Sequence, residues 1–220
     1  MGLNKSKGNM YDWVSHTWSP IIGCMHQCSY CYVRSYRDLP VEPTLRVNDF
    51  PNLGVGRTIF VGHQCDMFSE NTPAAWVQAV YRHCLKYPNN KYVFQTKNPI
   101  KLVNDFGELP TNFMIGTTIE TNRKVLLEQF SRAPAPEERA IGLSMIHGKK
   151  FVTVEPIMIF DLHEFVDLLK VANPDWINIG ADSKGHCLPE PTMKEIRELI
   201  NELNIAGIRI LEKMNLGRLI

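Results

Sequence analysis

Cys24-Met25-His26-Gln27-Cys28-Ser29-Tyr30-Cys31 places three thiols in eight residues, spaced C-x3-C-x2-C. Three soft donors in so short a loop can clasp one metal centre and leave a coordination position open. Iron in a cubane cluster takes thiolates as its usual protein ligands, about four to a cluster, so a chain that supplies three leaves a place for a small chelating molecule. A structural zinc ion is the competing reading, with His16 or His26 closing a Cys3His tetrahedron. Zinc modules usually pair two knuckles across a gap, whereas all three thiols here share one loop. Cys65, Cys84 and Cys187 are scattered. With neither a secretory leader nor an apolar run of about 20 residues, the chain reads as a reduced, cytoplasmic protein without disulfides or a membrane span.

Outward from the octet, short β-branched and aromatic runs alternate with amphipathic stretches. The runs are Trp13 to Trp18, Thr58 to Val61, Tyr92 to Phe94, Phe113 to Ile115, Phe151 to Val154 and Trp176 to Ile179, with Ile208 to Leu211 as an added edge strand. Each is short enough for a buried strand. Helical periodicity predicts Pro73 to Tyr87, Thr121 to Phe130, Asp161 to Val171 and Pro191 to Leu203, with Thr72 and Asp161 as caps. Arg132 to Glu138, rich in Ala and Pro, reads as a surface loop. Strand-helix alternation predicts an α/β fold with a parallel sheet and right-handed crossovers. At 220 residues and 44% apolar content, residues 1–220 form one domain. A formal charge of +1 gives no global electrostatic case for a nucleic-acid partner.

Tyr30 before the third cysteine and Tyr32 after it complete an octet that resembles the signature of the radical SAM enzymes. The resemblance implies a partial (β/α)6 barrel of parallel strands and a 4Fe-4S cluster on Cys24, Cys28 and Cys31. It implies S-adenosylmethionine (SAM) with its adenine beside Tyr30, and an external one-electron reductant of the flavodoxin or ferredoxin type. It also implies reductive cleavage of SAM to methionine and a 5'-deoxyadenosyl radical that abstracts a substrate hydrogen. Thr17 to Cys24, Thr96-Lys97-Asn98-Pro99, Val154-Glu155-Pro156 and Asp175 to Gly180 are similar to a small phage-associated branch of that superfamily. Members of the branch commonly carry a longer first gap than the x3 here.

In parallel barrels, ligands collect at the carboxyl ends of the strands. Polar residues follow the apolar runs there: His63, Gln64 and Asp66; Gln95, Thr96 and Lys97; Thr117, Thr118 and Glu120; Glu155; Asp182, Ser183 and Lys184. The chemistry of SAM assigns Asp66 to its ammonium, Lys97 to its carboxylate and Glu120 to its ribose hydroxyls. Each has a plainer alternative: an Asx turn for Asp66, and a first-turn acid favoured by the helix dipole for Glu120. Glu155, expected to point inward, is either catalytic with Lys97 or salt-bridged to Lys97 or Lys213. Trp13 and Trp18, five residues apart, fall on opposite faces of a strand.

Two classes of function remain: an enzyme that cleaves SAM, and a non-catalytic iron-sulfur or zinc module that senses or binds a partner. The open fourth position favours the enzyme. Too few cysteines remain for a second cluster, and a minimal barrel leaves a wide mouth suited to a large substrate. Thr96-Lys97 after an aromatic strand is similar to spore photoproduct lyase and its relatives, which act on DNA. Arg34, Arg37 and Lys149-Lys150 are candidate phosphate contacts, so a nucleic acid is the favoured substrate.

Overall fold

A computed structural model describes residues 2–7 and 11–220. In chain order its elements are β1 (Asn4–Lys5), β2 (His16–Trp18), β3 (Ile21–Ile22), β4 (Thr44–Leu45), β5 (Thr58–Val61), α1 (Ala74–Leu85), β6 (Lys91–Gln95) and α2 (Pro99–Phe106). There follow β7 (Phe113–Thr118), α3 (Lys124–Leu127), α4 (Pro136–Ser144), β8 (Lys149–Val154), α5 (Leu162–Val171), β9 (Trp176–Ile179), α6 (Met193–Ile205) and β10 (Ile210–Glu212). The main sheet runs β1-β2-β5-β6-β7-β8-β9-β10, and every pairing is parallel except β1 with β2. Helices make each crossover from β5 onward, whereas the crossover from β2 to β5 carries the cysteine octet and the small antiparallel ribbon β3-β4.

The two faces of the sheet follow the period-two alternation of each strand. Ile59, Val61, Tyr92, Phe94, Phe113, Ile115, Val152, Val154, Ile177 and Ile179 face the helices and form the main core with Val77, Leu102, Phe165 and Leu199. Phe60, Val93, Met114 and Phe151 face the other way, with Trp176 packed against them. The Tyr11 ring meets Phe60 on β5 and Phe151 on β8, and its hydroxyl bonds Gln95 on β6 at 2.7 Å. Lys213, just past β10, stands 5.2 Å over the same ring. One ring reaches so many strands because the sheet curls around it into a partial barrel, whose base Tyr11, Trp13, Phe151 and Trp176 fill. Trp13 joins this interior and Trp18 the helix-side core; the strand expected over Trp13 to Trp18 is shortened to β2, so Trp13 reaches the interior from the turn before it.

Several expected elements differ. The segment read as a surface loop ends in α4, which begins at a buried Pro136 in the first-turn position that tolerates proline. A second helix unseen in the sequence, α2, starts at Pro99, with the Asn98 side chain accepting from the Lys101 amide at 3.2 Å. The helix expected over Thr121 to Phe130 shrinks to α3, because Thr121 hydroxyl bonds the Ile159 carbonyl and Phe130 gives its carbonyl to Ser29. Pro73, not Thr72, sits at the cap of α1. Asp161 occupies the cap of α5 but turns its carboxylate to Arg123. Pro191 lies before α6, which Thr192 and Glu195 open with a reciprocal capping box. Among the described residues no helix is long and apolar enough to cross a membrane.

Candidate active site

The octet begins where β3 ends. Gly23 adopts φ +92°, and a Cβ there would lie 2.2 Å from the Glu42 carbonyl oxygen, so only glycine lets the chain turn so close to the approach of β4. Gln27 takes φ +47° in mid-loop. Backbone bonds tie the loop to two other segments: Cys24 N–H to Pro40 at 2.9 Å, Ser29 N–H to Phe130 at 2.8 Å, and Arg132 N–H to His26 at 2.7 Å. Cys28 Sγ lies 3.1 Å from Ser131 Oγ. The stretch 130–132, at the start of the supposed surface loop, is therefore the shelf on which the cysteines rest.

Two buried carboxylates meet the loop from the strand ends. Asp66 follows β5; its Oδ2 accepts from His26 Nε2 at 2.9 Å and from the Lys97 backbone N–H at 2.6 Å, while Oδ1 accepts from Phe68 N–H at 3.0 Å. The last contact is the expected Asx turn. Burial opposes its ionisation, but the His26 ring and the Lys97 amide hold the carboxyl below its ordinary range. Glu120 follows β7 and has no exposed surface. Its Oε1 accepts from Tyr30 hydroxyl and Lys97 Nζ, each at 2.6 Å, and Oε2 from Arg139 Nη1 at 2.8 Å. Desolvation again opposes charge, yet Lys97 and Arg139 hold this carboxyl at about 2. Glu120 is not a first-turn acid, since α3 begins only at Lys124.

Lys97, just past β6, thus touches both carboxylates and places its ammonium 5.3 Å over the Tyr30 ring. Glu155 follows β8 and pairs with Lys213 rather than Lys97; Asn215 Nδ2 donates to its Oε1 at 2.7 Å. Asp182, after β9, binds His186 Nδ1 at 2.7 Å. The structure therefore brings Tyr30, Asp66, Lys97 and Glu120 together with the cysteine loop, and sets Glu155 in a separate pair with Lys213.

The donor set suits an iron-sulfur cluster. Cys24, Cys28 and Cys31 are free thiols on one loop, and burial pushes Cys24 up to about 12, so a metal must supply the charge that makes it a thiolate. Among the described residues no three Cys, His, Asp or Glu side chains converge to share a single ion. A cubane asks for no such convergence, since each thiolate binds its own iron corner. Neither histidine considered for zinc turns to the thiols: His26 holds Asp66, and His16, on β2, bonds Ser15.

Three participants escape the sequence reading. Arg139 is fully buried in α4, bonding Glu120, the Thr118 carbonyl and the Pro134 carbonyl. Ser131 meets Cys28 from the neglected segment. Cys65, apparently isolated in sequence, is a half-buried thiol raised well above its ordinary range by desolvation and then by the neighbouring charges of Cys24 and Asp66. A charged residue amid the apolar positions of α4 is the only available sign of Arg139; nothing local marks the other two.

No protein-family model matches the chain, and no curated protein matches it. Solved structures do. Spore photoproduct lyase complexed with dinucleoside spore photoproduct superposes with a TM-score of 0.61 at 13% identity, covering 92% of this chain and 63% of that one. A variant of that lyase with bound AdoMet and dinucleoside spore photoproduct gives 0.56 at 14% identity, over 87% and 61%. Another variant gives 0.65 at 11% identity, over 96% and 79%. The chain has the fold of these lyases and spans 63% of the length of the first.

Proposed function

We propose that this protein is a radical SAM enzyme that abstracts hydrogen from a nucleic acid. The observation that carries the reading is the placement of the octet. It lies in the crossover between β2 and β5, and β5, β6 and β7 each send a charged residue from the carboxyl end to meet it. A 4Fe-4S cluster on Cys24, Cys28 and Cys31 would supply the electron that cleaves SAM to methionine and a 5'-deoxyadenosyl radical. The chain's own residues bind and orient. Lys97 spends one ammonium proton on Glu120 and keeps two donors for the SAM carboxylate. Tyr30 flanks the third cysteine with its hydroxyl fixed on Glu120, which holds the ring still for an adenine. Glu120 serves the ribose hydroxyls and Asp66 the ammonium as acceptors, through Oε2 and Oδ1, whose bonds to Arg139 and to Phe68 N–H leave acceptor capacity. Glu155 and Lys213 line the β8 and β10 side of the mouth, towards substrate.

The nucleic-acid assignment is supported by the lyase structures that hold a dinucleoside lesion. The surface beside the octet adds to it: Arg34 is exposed, Tyr36 is 55% exposed, and Arg37 is braced by Gln64 at 2.7 Å. Exposed rings among cations suit stacked bases and phosphates. The test is anaerobic purification, expected to give about four irons and four sulfides per chain, lost in each of Cys24→Ala, Cys28→Ala and Cys31→Ala. Reduction with dithionite then yields 5'-deoxyadenosine and methionine from SAM, and deuterium from a labelled base or sugar appears in the nucleoside. Stoichiometric zinc with no iron uptake on reconstitution refutes the reading.

A further inference from the structure

Besides its backbone ties, the cysteine loop is fastened by two side chains, His26 before Cys28 and Tyr30 after it, and each ends on a different buried carboxylate. Those carboxylates follow different strands, β5 and β7, yet one residue just past the intervening strand reaches both. Lys97 gives its backbone N–H to Asp66 and its ammonium to Glu120, both at 2.6 Å. The contacts form a ring from His26 to Asp66 to Lys97 to Glu120 to Tyr30, closed by the loop itself. Nearly all of it is buried, so water competes weakly for any of its bonds.

Geometry singles out Lys97 within the ring. Arg139 also pairs with Glu120, but its other bonds go to the Thr118 and Pro134 carbonyls, whereas Lys97 bonds both carboxylates. We propose that Lys97 is the positioning residue of the cysteine loop, its backbone fixing the His26 half through Asp66 and its ammonium fixing the Tyr30 half through Glu120, so that the three thiols are presented as one unit. A cluster on the thiols rests on the radical SAM reading; the ring of contacts does not.

The test compares Lys97→Met, Asp66→Asn and the double variant with the native chain, without SAM. Amide hydrogen exchange is read at Ser29 and Cys31 for the Tyr30 half and at Arg132, which bonds the His26 carbonyl, for the other half. On iron-loaded protein, the rate of bleaching by a chelator is read as well. Lys97→Met removes a charge-assisted bond and is expected to speed exchange at Ser29 and Cys31 about ten- to hundredfold. Asp66→Asn does the same at Arg132, and amides of β9 are unchanged in both. Either variant speeds bleaching, and the double variant bleaches little faster than the quicker single, because a cluster released by one half no longer feels the other. Multiplying effects would mean two independent contacts and would overturn the proposal. So would a Lys97→Met protein that exchanges and bleaches like the native chain but binds SAM weakly, since Lys97 would then touch only the cofactor. If Lys97→Met does not fold, Tyr30→Phe reads the same half of the loop. A chain that takes up no iron defeats the functional reading, while the exchange measurement still decides the clamp.

Discussion

Glu120→Gln tests the charge arithmetic of the buried cluster. Glu120 lies between two cations, Lys97 and Arg139. Removing either cation leaves Glu120 paired with the other; removing Glu120's charge leaves two cations facing each other without water. Loss of one partner from a buried pair costs about 3 to 5 kcal/mol, whereas loss of one charge-assisted hydrogen bond costs about 1.5 to 3. Glu120→Gln is therefore expected to destabilise more than Lys97→Met or Arg139→Met, lowering Tm by roughly 6 to 20 °C for a chain of this size. The proton affinity of Glu120 gives a second route to the magnitude. A carboxyl held at about 2 against its ordinary 4.5, at about 1.4 kcal/mol per tenfold in affinity, contributes about 3 kcal/mol. Because the folded-state pKa is depressed, this stability is fully present above pH 4.5 and is lost as pH falls towards 2. Urea titrations of native and Glu120→Gln protein should thus differ by about 3 kcal/mol at pH 6 and converge as the pH is lowered through that window. A difference that stays constant with pH, or a Glu120→Gln protein more stable than Arg139→Met, would refute the arrangement.

Other perturbations probe separate links. Thr192→Ala removes the hydroxyl half of the α6 capping box and should cost about 1 kcal/mol of stability in urea; no loss would mean that the box does not hold the helix in solution. Gly116→Ala places a methyl 2.3 Å from the Phe151 ring, which is stacked on Trp176 at 5.0 Å and cannot retreat, so about 1 to 3 kcal/mol is lost and Phe151→Leu should restore part of it. Arg34→Glu with Arg37→Glu should abolish binding of short oligonucleotides at low salt and leave the brown absorbance intact, while native binding weakens linearly in log salt; binding insensitive to both would remove this surface from the substrate path.

The sheet was legible because each barrel strand announces itself locally. Thr58–Val61 and Trp176–Ile179 stand where their β-branched and aromatic runs place them, and the polar residues that follow the runs include those that meet the loop. Asp66, Lys97 and Glu120 could be listed from that position alone. What position does not contain is pairing. The bonds that define the site join residues 23, 31, 40 and 90 positions apart, and nothing in the local composition says that Glu120 will meet donors from within the chain itself.

Arg139 shows the limit most clearly. Its surroundings, Ala133 to Pro136 followed by two glutamates, have the polarity and breakers of an exposed turn, and α4 lacks a clean apolar stripe because one of its buried positions is a guanidinium. A charge at a core position reads as exposure until its partner is known. The partner lies on β7, and its own need for cations arises only once β7 and α4 have packed and excluded water. Burial thus creates the interaction that justifies the burial, and a sequence displays neither until the fold has formed. The same reasoning explains why the Lys97–Glu120 pair was not legible: at a strand end a lysine shows only its charge, and the carboxylate that bonds it is delivered by the neighbouring strand.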